Sequence, residues 1–520
     1  MTDLGALGEV FNQSRPARRA DKTYGKKKSA MAQARAMHFD LFGGRQEKLV
    51  LEKMAGMTLE SEKSETPTKV TVADPMPSTE KNDKTELNPR FRGRRKVYAS
   101  KKIAKLTQDK IEALGPLLSL IKGQVQDFHE FGRSIGKKYD CTKLGEGAFA
   151  DVFKLKAKTA EEATELDRYG GLVIKVIPFN IENDSKDEIA DLESVTREVR
   201  VLQALDPLHG FARCRGVHVV SGKYPDVLSE AFSLYKTTDP KEAINPDPTN
   251  NLDSEQLYVI IEMNDAGRPV SKLSVMSAFQ AYDSFWMSAI ILSLAEHKLE
   301  FEHRDLHNGN VCFKHRDMDE VDDIPRATVE DMKEVPEVKL GLSNLAITII
   351  DYTLARAKIT DGDGELVVFD PILFWDANDA EGDTKSDAKQ YDTYRKVRDW
   401  AKTTDEEAEA QAHLEGVEHQ AVNKYSRFLP KSNVMWLGYL VTDLLLRRKE
   451  GRGAYVQGSS RAAKKLQLSM WKTLEAVDAY INKTTPTLLP RSADDFLSLA
   501  MEQGWLTSAD IEAFSAQLEG

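Results

Sequence analysis

The chain has 520 residues, 30% of them charged and 41% hydrophobic, and a formal net charge of −11, which leaves room for a two-lobed domain with extensions. Three cysteines, none in a CxxC pair, argue against a disulfide framework and a zinc site. No apolar segment follows Met1 as in a signal peptide and no stretch approaches the length of a transmembrane helix, so we expect a soluble protein of a reducing compartment.

Residues 1–125 are predicted to form a basic and largely disordered extension. Within it, residues 56–90 are rich in Thr, Ser, Glu, Lys and Pro, so they cannot bury enough apolar surface to fold alone. Basic clusters at residues 26–28 and 90–102 suit nuclear import signals or contacts to a nucleic-acid backbone, and a solvated tether is the alternative. Residues 101–121 carry apolar side chains at helical spacing and either dock on the folded domain or bind a partner.

Charge is divided unevenly along the chain. Residues 1–140 contain 28 Lys and Arg against 18 Asp and Glu, a net of +10, whereas the remaining residues contain 44 against 65, a net of −21. Because complementary fields raise the rate of encounter, an acidic folded region favours a basic partner.

Residues 144–152, the glycine-rich loop, read Leu-Gly-Glu-Gly-Ala-Phe-Ala-Asp-Val between two apolar strands. Gly145 and Gly147 lack a Cβ, so their backbone can come close to phosphate oxygens. Glycine pairs are also common in hairpins, and Ala150 stands where a third glycine is usual, so the motif gains weight only from the strand and helix downstream of it. The nucleotide contacts predicted here are Gly145, Glu146, Gly147, Ala148, Phe149 and Val152.

Lys175 lies inside the apolar strand predicted over residues 172–177, where a buried charge needs a partner. Glu198 follows 23 residues later in a helical stretch over residues 191–205, which is the expected place for the carboxylate that holds such a lysine against ATP phosphates. Taken alone, Lys175 would be interpreted as an edge-strand lysine that reaches solvent.

Residues 303–310 read His-Arg-Asp-Leu-His-Asn-Gly-Asn, and residues 349–353 read Ile-Ile-Asp-Tyr-Thr. Asp305 can accept the proton of a substrate hydroxyl, while Asn310 and Asp351 can hold the metal ions that neutralise phosphates. These groups follow one another in the order that phosphoryl transfer from ATP uses in protein kinases. We expect structural roles for the histidine and arginine that precede Asp305; His307 either donates a hydrogen bond to the phosphate or fills the loop.

The predicted fold class is α+β, a bilobal protein-kinase-like fold. Residues 126–267 form a small β-rich N-lobe and residues 268–520 a larger helical C-lobe. In the C-lobe we predict helices over residues 278–298, 433–447 and 459–482 and a surface loop over residues 317–336.

Two sequence motifs narrow the choice of kinase family. Residues 301–311 read Phe-Glu-His-Arg-Asp-Leu-His-Asn-Gly-Asn-Val, and residues 349–356 read Ile-Ile-Asp-Tyr-Thr-Leu-Ala-Arg. Together with Tyr-Asp-Thr-Tyr-Arg at residues 391–395, they closely resemble the haspin family of atypical histone kinases. The resemblance covers roughly residues 135–450, and the alanine in the glycine-rich loop and the sparse match near the C-terminus depart from it.

The resemblance implies transfer of phosphate from ATP, with magnesium, to the threonine at the third position of the histone H3 tail at mitotic chromatin in the nucleus. It implies Asp305 as catalytic base, Asn310 and Asp351 as magnesium ligands, and Lys175 with Glu198 as the pair that anchors the phosphates. Further partners would be the nucleosome, import factors for the basic clusters and, without being required, DNA; no membrane is involved.

The resemblance also implies a hinge after a strand that ends near Met263, although an ordinary buried strand and turn would look the same. Met263 would be the gatekeeper, and adenine would meet the backbone of Asn264, Asp265 and Ala266. Asp383 and Asp387 are candidates for contacting a basic residue of the substrate, or belong to a solvated acidic loop. By its motif, Asp392 would brace the catalytic loop.

Thr353 replaces the glycine that usually ends the metal-binding tripeptide. Because threonine is β-branched and stiff, we hypothesise that the segment stays near its active arrangement without phosphorylation; neutral drift is the alternative. Two other functions remain open: a pseudokinase scaffold on chromatin and a small-molecule phosphotransferase with a kinase-like fold. The retained Lys175, Asp305, Asn310 and Asp351 argue against the first.

Overall fold

The computed structural model describes residues 106–519 apart from gaps at 148–149, 169, 182–188, 241, 249–254, 274–275, 317–333, 362–363, 372–383, 417–422 and 451–459. The two basic clusters, the segment 56–90, Ala148, Phe149 and Asp383 lie outside the described residues. Within the described part, no helix is long and apolar enough to cross a membrane.

The N-lobe is built on one sheet. Its strands are β1 Gln126–Asp127, β2 Tyr139–Glu146, β3 Asp151–Ala157, β4 Leu172–Asn180, β5 Ala190–Asp191, β6 Cys214–Ser221 and β7 Leu257–Met263. They lie in the order β1, β6, β7, β4, β3 and β2, and β5 pairs with β4. Pairing is antiparallel except between β1 and β6 and between β4 and the short β5.

Helices cover both faces of this sheet, as the alternation along its strands requires. Ile174 and Val176 of β4 pack into a cluster with side chains of three helices on one face, whereas Ile177 belongs to the main core together with Val195 and Val199 of another helix. The three helices are α3 Phe128–Lys138, α4 Ala160–Asp167 and α6 Asp226–Thr238, and the fourth is α5 Leu192–Leu205.

Two short helices precede the sheet, α1 Gln108–Ala113 and α2 Gly115–Leu120. Thr107 caps α1, and Leu114 and Leu117 are fully buried in the main core. Lys110 pairs with Glu255 near the start of β7 at 3.3 Å. This stretch therefore packs on the folded domain, the first of the two alternatives, and ordered structure begins before the predicted boundary at residue 126.

The C-lobe is mostly helical. Its elements are β8 Arg268–Pro269, α7 Ala278–Leu299, β9 Val311–His315, β10 Leu345–Ile349, β11 Ala357–Asp361, β12 Gly364–Val368, α8 Lys385–Glu415, α9 Lys431–Glu450, α10 Arg461–Lys483, α11 Ala493–Glu502 and α12 Ser508–Glu519. The strands form a three-stranded sheet in the order β10-β9-β8 and a hairpin of β11 and β12.

Helix α7 is the centre of this lobe. It starts with a capping box at Ser277 and packs against α9, α10 and α11, so that nearly all of its side chains are buried. Its Asp283 accepts hydrogen bonds from the amides of Gly341 and Ser343, both at 2.8 Å, and so fixes the chain that enters β10. The predicted α+β bilobal fold is confirmed. The helices predicted over 191–205, 278–298 and 459–482 agree with α5, α7 and α10 to within two residues at each end, and the one predicted over 433–447 lies inside α9.

Candidate active site

The catalytic loop runs between α7 and β9 and is held by a buried ion pair. Arg304 adopts a left-handed backbone conformation (φ 62°) and pairs with Glu302 at 3.0 Å, both side chains being almost fully buried. Glu302 also accepts hydrogen bonds from the amide of Leu429 and the hydroxyl of Ser432. The loop is thus anchored to the segment before α9, and the structural role predicted for Arg304 agrees with these contacts.

His303 is fully buried below the same loop. Its Nε2 lies 3.1 Å from the carbonyl of Ile350, and its Nδ1 accepts from the amide of Asp305 at 3.3 Å. Burial lowers the pKa of His303 to about 4, so the ring is neutral at ordinary pH. It joins the loop to the strand end that carries Asp351.

Asn310 brings the predicted base and the predicted metal ligands together. Its Nδ2 donates to the carbonyl of Asp305 at 2.8 Å and lies 3.5 Å from the carboxylate Oδ2 of the same residue. Its carbonyl accepts from the amide of Ile350 at 2.9 Å, next to Asp351. Because Nδ2 is engaged, the remaining side-chain atom, Oδ1, is an acceptor suited to a hard cation.

Asp351 has a left-handed backbone conformation (φ 65°), and its Oδ1 accepts from the hydroxyl of Thr353 at 2.7 Å and contacts Lys175 Nζ at 3.4 Å. Burial would raise its pKa, but Lys175 and then Thr353 hold the pKa of Asp351 at about 2. A permanently ionised carboxylate beside an amide oxygen is a donor set that magnesium accepts. Asn310 and Asp351 therefore fit the predicted metal site.

Lys175 and Glu198 form the predicted ion pair at 2.5 Å. Lys175 lies between Val152 of β3 and Ile261 of β7, and its ion pair with Glu198 places its side chain on the face that α5 covers. Burial opposes its charge, yet the two carboxylates of Asp351 and Glu198 raise the pKa of Lys175 above its usual value. The alternative of an edge-strand lysine is excluded, because β4 is central and Lys175 is only 9% exposed.

Tyr352 joins the lobes behind this pair. Its hydroxyl donates to the carbonyl of Ile349 at 2.8 Å and accepts from the amide of Ala212 at 3.0 Å, in the loop between α5 and β6. Ile349 also donates its amide to the carbonyl of Gly210 at 2.8 Å. The turn that carries Asp351 is therefore tied to the N-lobe segment that follows α5.

At the predicted hinge, two backbone amides are already occupied. The amide of Asn264 donates to the carbonyl of Arg213, and that of Asp265 donates to the carbonyl of Gly170, both at 3.2 Å. Within the described residues, the amide of Ala266 and the carbonyl of Asn264 have no hydrogen-bond partner, which leaves one donor and one acceptor for an adenine edge. The side chain of Asp265 pairs with Lys154 at 3.0 Å, so a nucleotide would meet its backbone only.

The glycine-rich loop is held from outside the cleft. Gly147 donates to the carbonyl of Ala150 at 2.7 Å, and Gly145 pairs with Val152, so both glycines lie at the tip of the hairpin. Glu146 points away from the cleft into a buried cluster and accepts from the amide of Asn245 at 2.7 Å. The Asn245 side chain donates in turn to the carbonyl of Ala150 at 3.1 Å. A nucleotide can therefore meet Glu146 through its backbone alone.

Helix α8 contributes a residue that the sequence did not indicate. The hydroxyl of Tyr394 donates a hydrogen bond to Asp305 Oδ1. Asp392, predicted to brace the catalytic loop, instead pairs with Lys396 at 3.0 Å, so that prediction is corrected. Residues two positions apart on a helix lie on different faces, and of these two only Tyr394 faces the catalytic loop. The sequence signal for Tyr394 was the motif at residues 391–395, which marked this turn of the helix without indicating which of its residues faces the loop.

Of the two predicted substrate contacts, one lies in the described part of the chain. Asp387 completes a capping box at the start of α8, accepting from the amide of Thr384 at 3.2 Å, and Asp383 lies outside the described residues. His307 lies 3.8 Å from Asp305 Oδ2, and its Nδ1 accepts from the amide of Gly309 at 3.0 Å. The loop-filling role of His307 thus has a contact to support it, and donation to phosphate stays a prediction.

A lysine anchored on an N-lobe helix, facing an aspartate after a buried strand and a second aspartate on the loop below, is the arrangement that protein kinases use, and the molecule is of that class. Residues 60–498 match the family model described as haspin like kinase domain. The chain therefore belongs to the haspin kinase family.

Three curated relatives show the range of similarity. The serine/threonine-protein kinase haspin homolog hrk1 of Schizosaccharomyces pombe is 27% identical over 384 residues, which cover 69% of this chain and 68% of that one. The haspin homolog of Drosophila melanogaster is 24% identical, over 59% of this chain and 49% of its own length. Haspin of Mus musculus is 29% identical, over 59% and 36%. The match thus spans between about a third and two thirds of these relatives.

Proposed function

We propose that this chain is a serine/threonine protein kinase that phosphorylates a threonine near the start of the histone H3 tail, on mitotic chromatin in the nucleus. The observation that carries the chemistry is that Asp351 lies 3.4 Å from Lys175, which is paired with Glu198 at 2.5 Å. Asn310 links this aspartate to the proposed base, because it bonds both Asp305 and the backbone of Ile350. Membership of the haspin family supports the choice of substrate.

ATP would bind as substrate between the lobes. Lys175 holds the α- and β-phosphates, the backbone of the glycine-rich loop covers them, and Ala266 and Asn264 offer one amide and one carbonyl to adenine beside Met263. Magnesium held by Asn310 and Asp351 would neutralise charge on the phosphates. Because the pKa of Asp351 is about 2, its carboxylate is already ionised at ordinary pH and need not release a proton to bind a cation.

Asp305 acts on the acceptor. The threonine oxygen forms a bond to the γ-phosphorus, the bond from that phosphorus to the β,γ-bridging oxygen breaks, and ADP leaves. The hydroxyl proton passes to Asp305 Oδ2, which lies on the same side as Asn310 Nδ2 and His307. Positioning and charge neutralisation provide most of the rate in such transfers, so a prearranged loop is the main requirement.

The electrostatic balance supports a basic peptide substrate. The region after residue 140 has a net charge of −21, and Asp383 and Asp387 remain the candidates for a lysine or arginine next to the threonine. The basic clusters at 26–28 and 90–102 are proposed to bind import factors, with direct DNA contact as an additional use.

The test measures transfer of phosphate from ATP, in the presence of magnesium, to a histone H3 N-terminal peptide and to the same peptide with alanine at the third position. The Asp305→Ala enzyme is assayed beside the parent enzyme. We expect transfer that requires the threonine and falls about 10²- to 10⁴-fold without the base. ATP binding with no transfer to any peptide would instead indicate a scaffold, and transfer to small alcohols or amines a small-molecule phosphotransferase.

A further inference from the structure

Helix α8 approaches the active site from a part of the chain that contributes neither a phosphate contact nor a metal ligand. Tyr394 of this helix lies 89 residues after Asp305, and its hydroxyl donates directly to the carboxylate Oδ1 of Asp305. Only 8% of Tyr394 is exposed, so the hydroxyl is not a surface group that meets the carboxylate by chance.

The position of this hydroxyl is fixed by packing. The ring of Tyr394 meets the ring of Trp436 edge to face, with centroids 4.9 Å apart, and Trp436 is fully buried in α9. Gln390, one turn earlier, donates its amide to the tyrosine oxygen at 3.2 Å. A side chain held in this way directs its own proton to one place, and that place is Asp305.

The start of α8 is anchored to the catalytic loop as well. Ser386 donates to Asp443 of α9 at 2.7 Å, and Asn308, three residues after Asp305, donates to the same carboxylate at 2.8 Å. The helix and the loop thus share one acceptor, which keeps Tyr394 in register with the base.

The two carboxylate oxygens of Asp305 are consequently in different surroundings. Oδ1 is bound by the tyrosine, whereas Oδ2 has Asn310 Nδ2 at 3.5 Å and His307 Nε2 at 3.8 Å. Free rotation of the carboxylate would exchange these oxygens, and the strong hydrogen bond of a hydroxyl to a carboxylate opposes it.

We propose that Tyr394 is a positioning residue for phosphoryl transfer: by binding Oδ1 it holds Asp305 with Oδ2 turned to the acceptor hydroxyl. The inference rests on the proposed function, since it needs Asp305 to be the base. Burial first, and then Asp305 itself, keep the pKa of Tyr394 well above its usual value of 10, so the residue remains a donor under all working conditions.

The experiment is a double-mutant cycle between Tyr394→Phe and Asp305→Ala in the full chain. We expect Tyr394→Phe to lower kcat about 10- to 100-fold, the effect of losing a hydrogen bond to a charged group, with KM for ATP and for the peptide unchanged. In the Asp305→Ala enzyme the same substitution is expected to have no further effect, because the carboxylate that it positions is gone.

Tyr391→Phe is the matched control, since it removes a hydroxyl from the same helix while its ring lies beside Tyr394, at 6.5 Å between centroids. We expect kcat within about twofold of the parent enzyme for this variant. Equal melting temperatures for the parent and both phenylalanine variants would show that the fold is intact.

Three outcomes would overturn the inference: equal losses from Tyr394→Phe in both backgrounds, a loss confined to KM, or a rise in kcat, which would mean that the tyrosine competes with the substrate for the base. Assays of peptide phosphorylation and of ATP hydrolysis without peptide separate the two proposals. A parent enzyme inactive in both assays contradicts the proposed function and the inference with it, whereas an active parent with an additive cycle contradicts the inference alone.

Discussion

Asp351 is held in a backbone conformation that L-residues other than asparagine and aspartate rarely adopt. The hydroxyl of Thr353 compensates for this by donating to Asp351 Oδ1 at 2.7 Å, and it also lies 3.3 Å from Glu198 Oε2. Threonine at this position therefore does more than stiffen the backbone: its hydroxyl connects the aspartate of the proposed metal site to the partner of Lys175.

Replacing Thr353 by valine separates the two properties, because valine is equally stiff but has no hydroxyl. We expect KM for ATP to rise about 5- to 10-fold, since a hydrogen bond of roughly 1–1.5 kcal/mol to the metal-binding carboxylate is lost. Thr353→Ser retains the hydroxyl and is expected to stay near the parent value in steady-state kinetics. A valine variant with parental KM would leave only the backbone role.

Individual residues were predicted where a motif or the pattern of a single strand or helix identifies them. Lys175 and Glu198 follow from one buried strand and one amphipathic helix, and Asp305 with Asn310 from a loop of a few residues. Tyr394 was not predicted, because the contact between α8 and the catalytic loop depends on how two distant elements pack. The same lack of tertiary information led to the wrong choice of Asp392, which is two residues away.

Among the elements, the described part of the segment after Asp351 is held by contacts within the protein itself. Glu302 and Arg356 exchange backbone hydrogen bonds at 2.8 and 2.9 Å, so this segment starts as an extension of the catalytic loop. The hairpin of β11 and β12 then packs against α5, and Arg197 of α5 lies 3.6 Å from Asp370. A phosphate on this segment would need a positively charged partner in the catalytic loop. The arginine there, Arg304, is already paired with Glu302.

We therefore expect the enzyme to be active without phosphorylation of residues 354–390. Protein treated with a phosphatase, and shown by mass spectrometry to carry no phosphate there, should phosphorylate the histone peptide within about twofold of the untreated rate. Untreated and mock-treated samples are the controls. A large loss of activity, restored by a phosphate in this segment, would contradict the hypothesis.

Three helices of the C-lobe meet at a buried acid. Glu296 of α7 accepts from Asn433 of α9 at 2.8 Å and from the amide of Ala493, at the start of α11, at 2.9 Å. Burial raises the pKa of Glu296 to about 8, against the opposing effect of these donors. The folded chain thus retains a proton that an unfolded chain, with an ordinary pKa near 4.5, has released.

This proton makes stability depend on pH. The contribution is fully present below pH 4.5 and is lost as pH rises through 8, at roughly 1.4 kcal/mol per pH unit in between. Glu296→Gln cannot ionise, so its melting temperature should fall less than that of the parent between pH 6 and pH 8. Glu230→Gln, at an exposed position of α6, is the control, and parallel curves for all three proteins would contradict the raised pKa.

Long periodic elements were predicted well from the sequence, and short elements that depend on tertiary contacts were not. The starts of α5 and α7 agree with prediction because N-capping residues, Asp191 and Ser277, mark them. The β11–β12 hairpin and the helices α3 and α6 were not predicted, since their short apolar patterns acquire meaning only against the elements that they contact, α5 for the hairpin and the sheet for the two helices.

At the scale of the whole molecule, the acidic folded region and the basic extension carry opposite charges, −21 and +10. The acidic region should attract basic peptides over distances that salt screens, because the Debye length falls from about 14 Å at 50 mM to about 6 Å at 300 mM ionic strength.

We expect kcat/KM for the histone peptide to fall about 3- to 10-fold between these two salt concentrations. A peptide with its distal lysines and arginines replaced by glutamine, but with the residues next to the threonine retained, should lose most of this dependence. Equal salt dependence for both peptides would show that long-range attraction does not contribute.

Helix α5 has contacts on two sides: its Glu198 pairs with Lys175 of the sheet, and the β11–β12 hairpin packs against it. Many kinases are silenced by an outward swing of the corresponding helix, and here that swing would have to break both contacts at once. Within the described residues, an outward movement of α5 would therefore cost two sets of contacts. For the proposed kinase we expect control to act outside this helix: through the amount of protein made, its delivery to the substrate, a neighbouring modification that blocks access, and the rate at which a phosphatase removes the product.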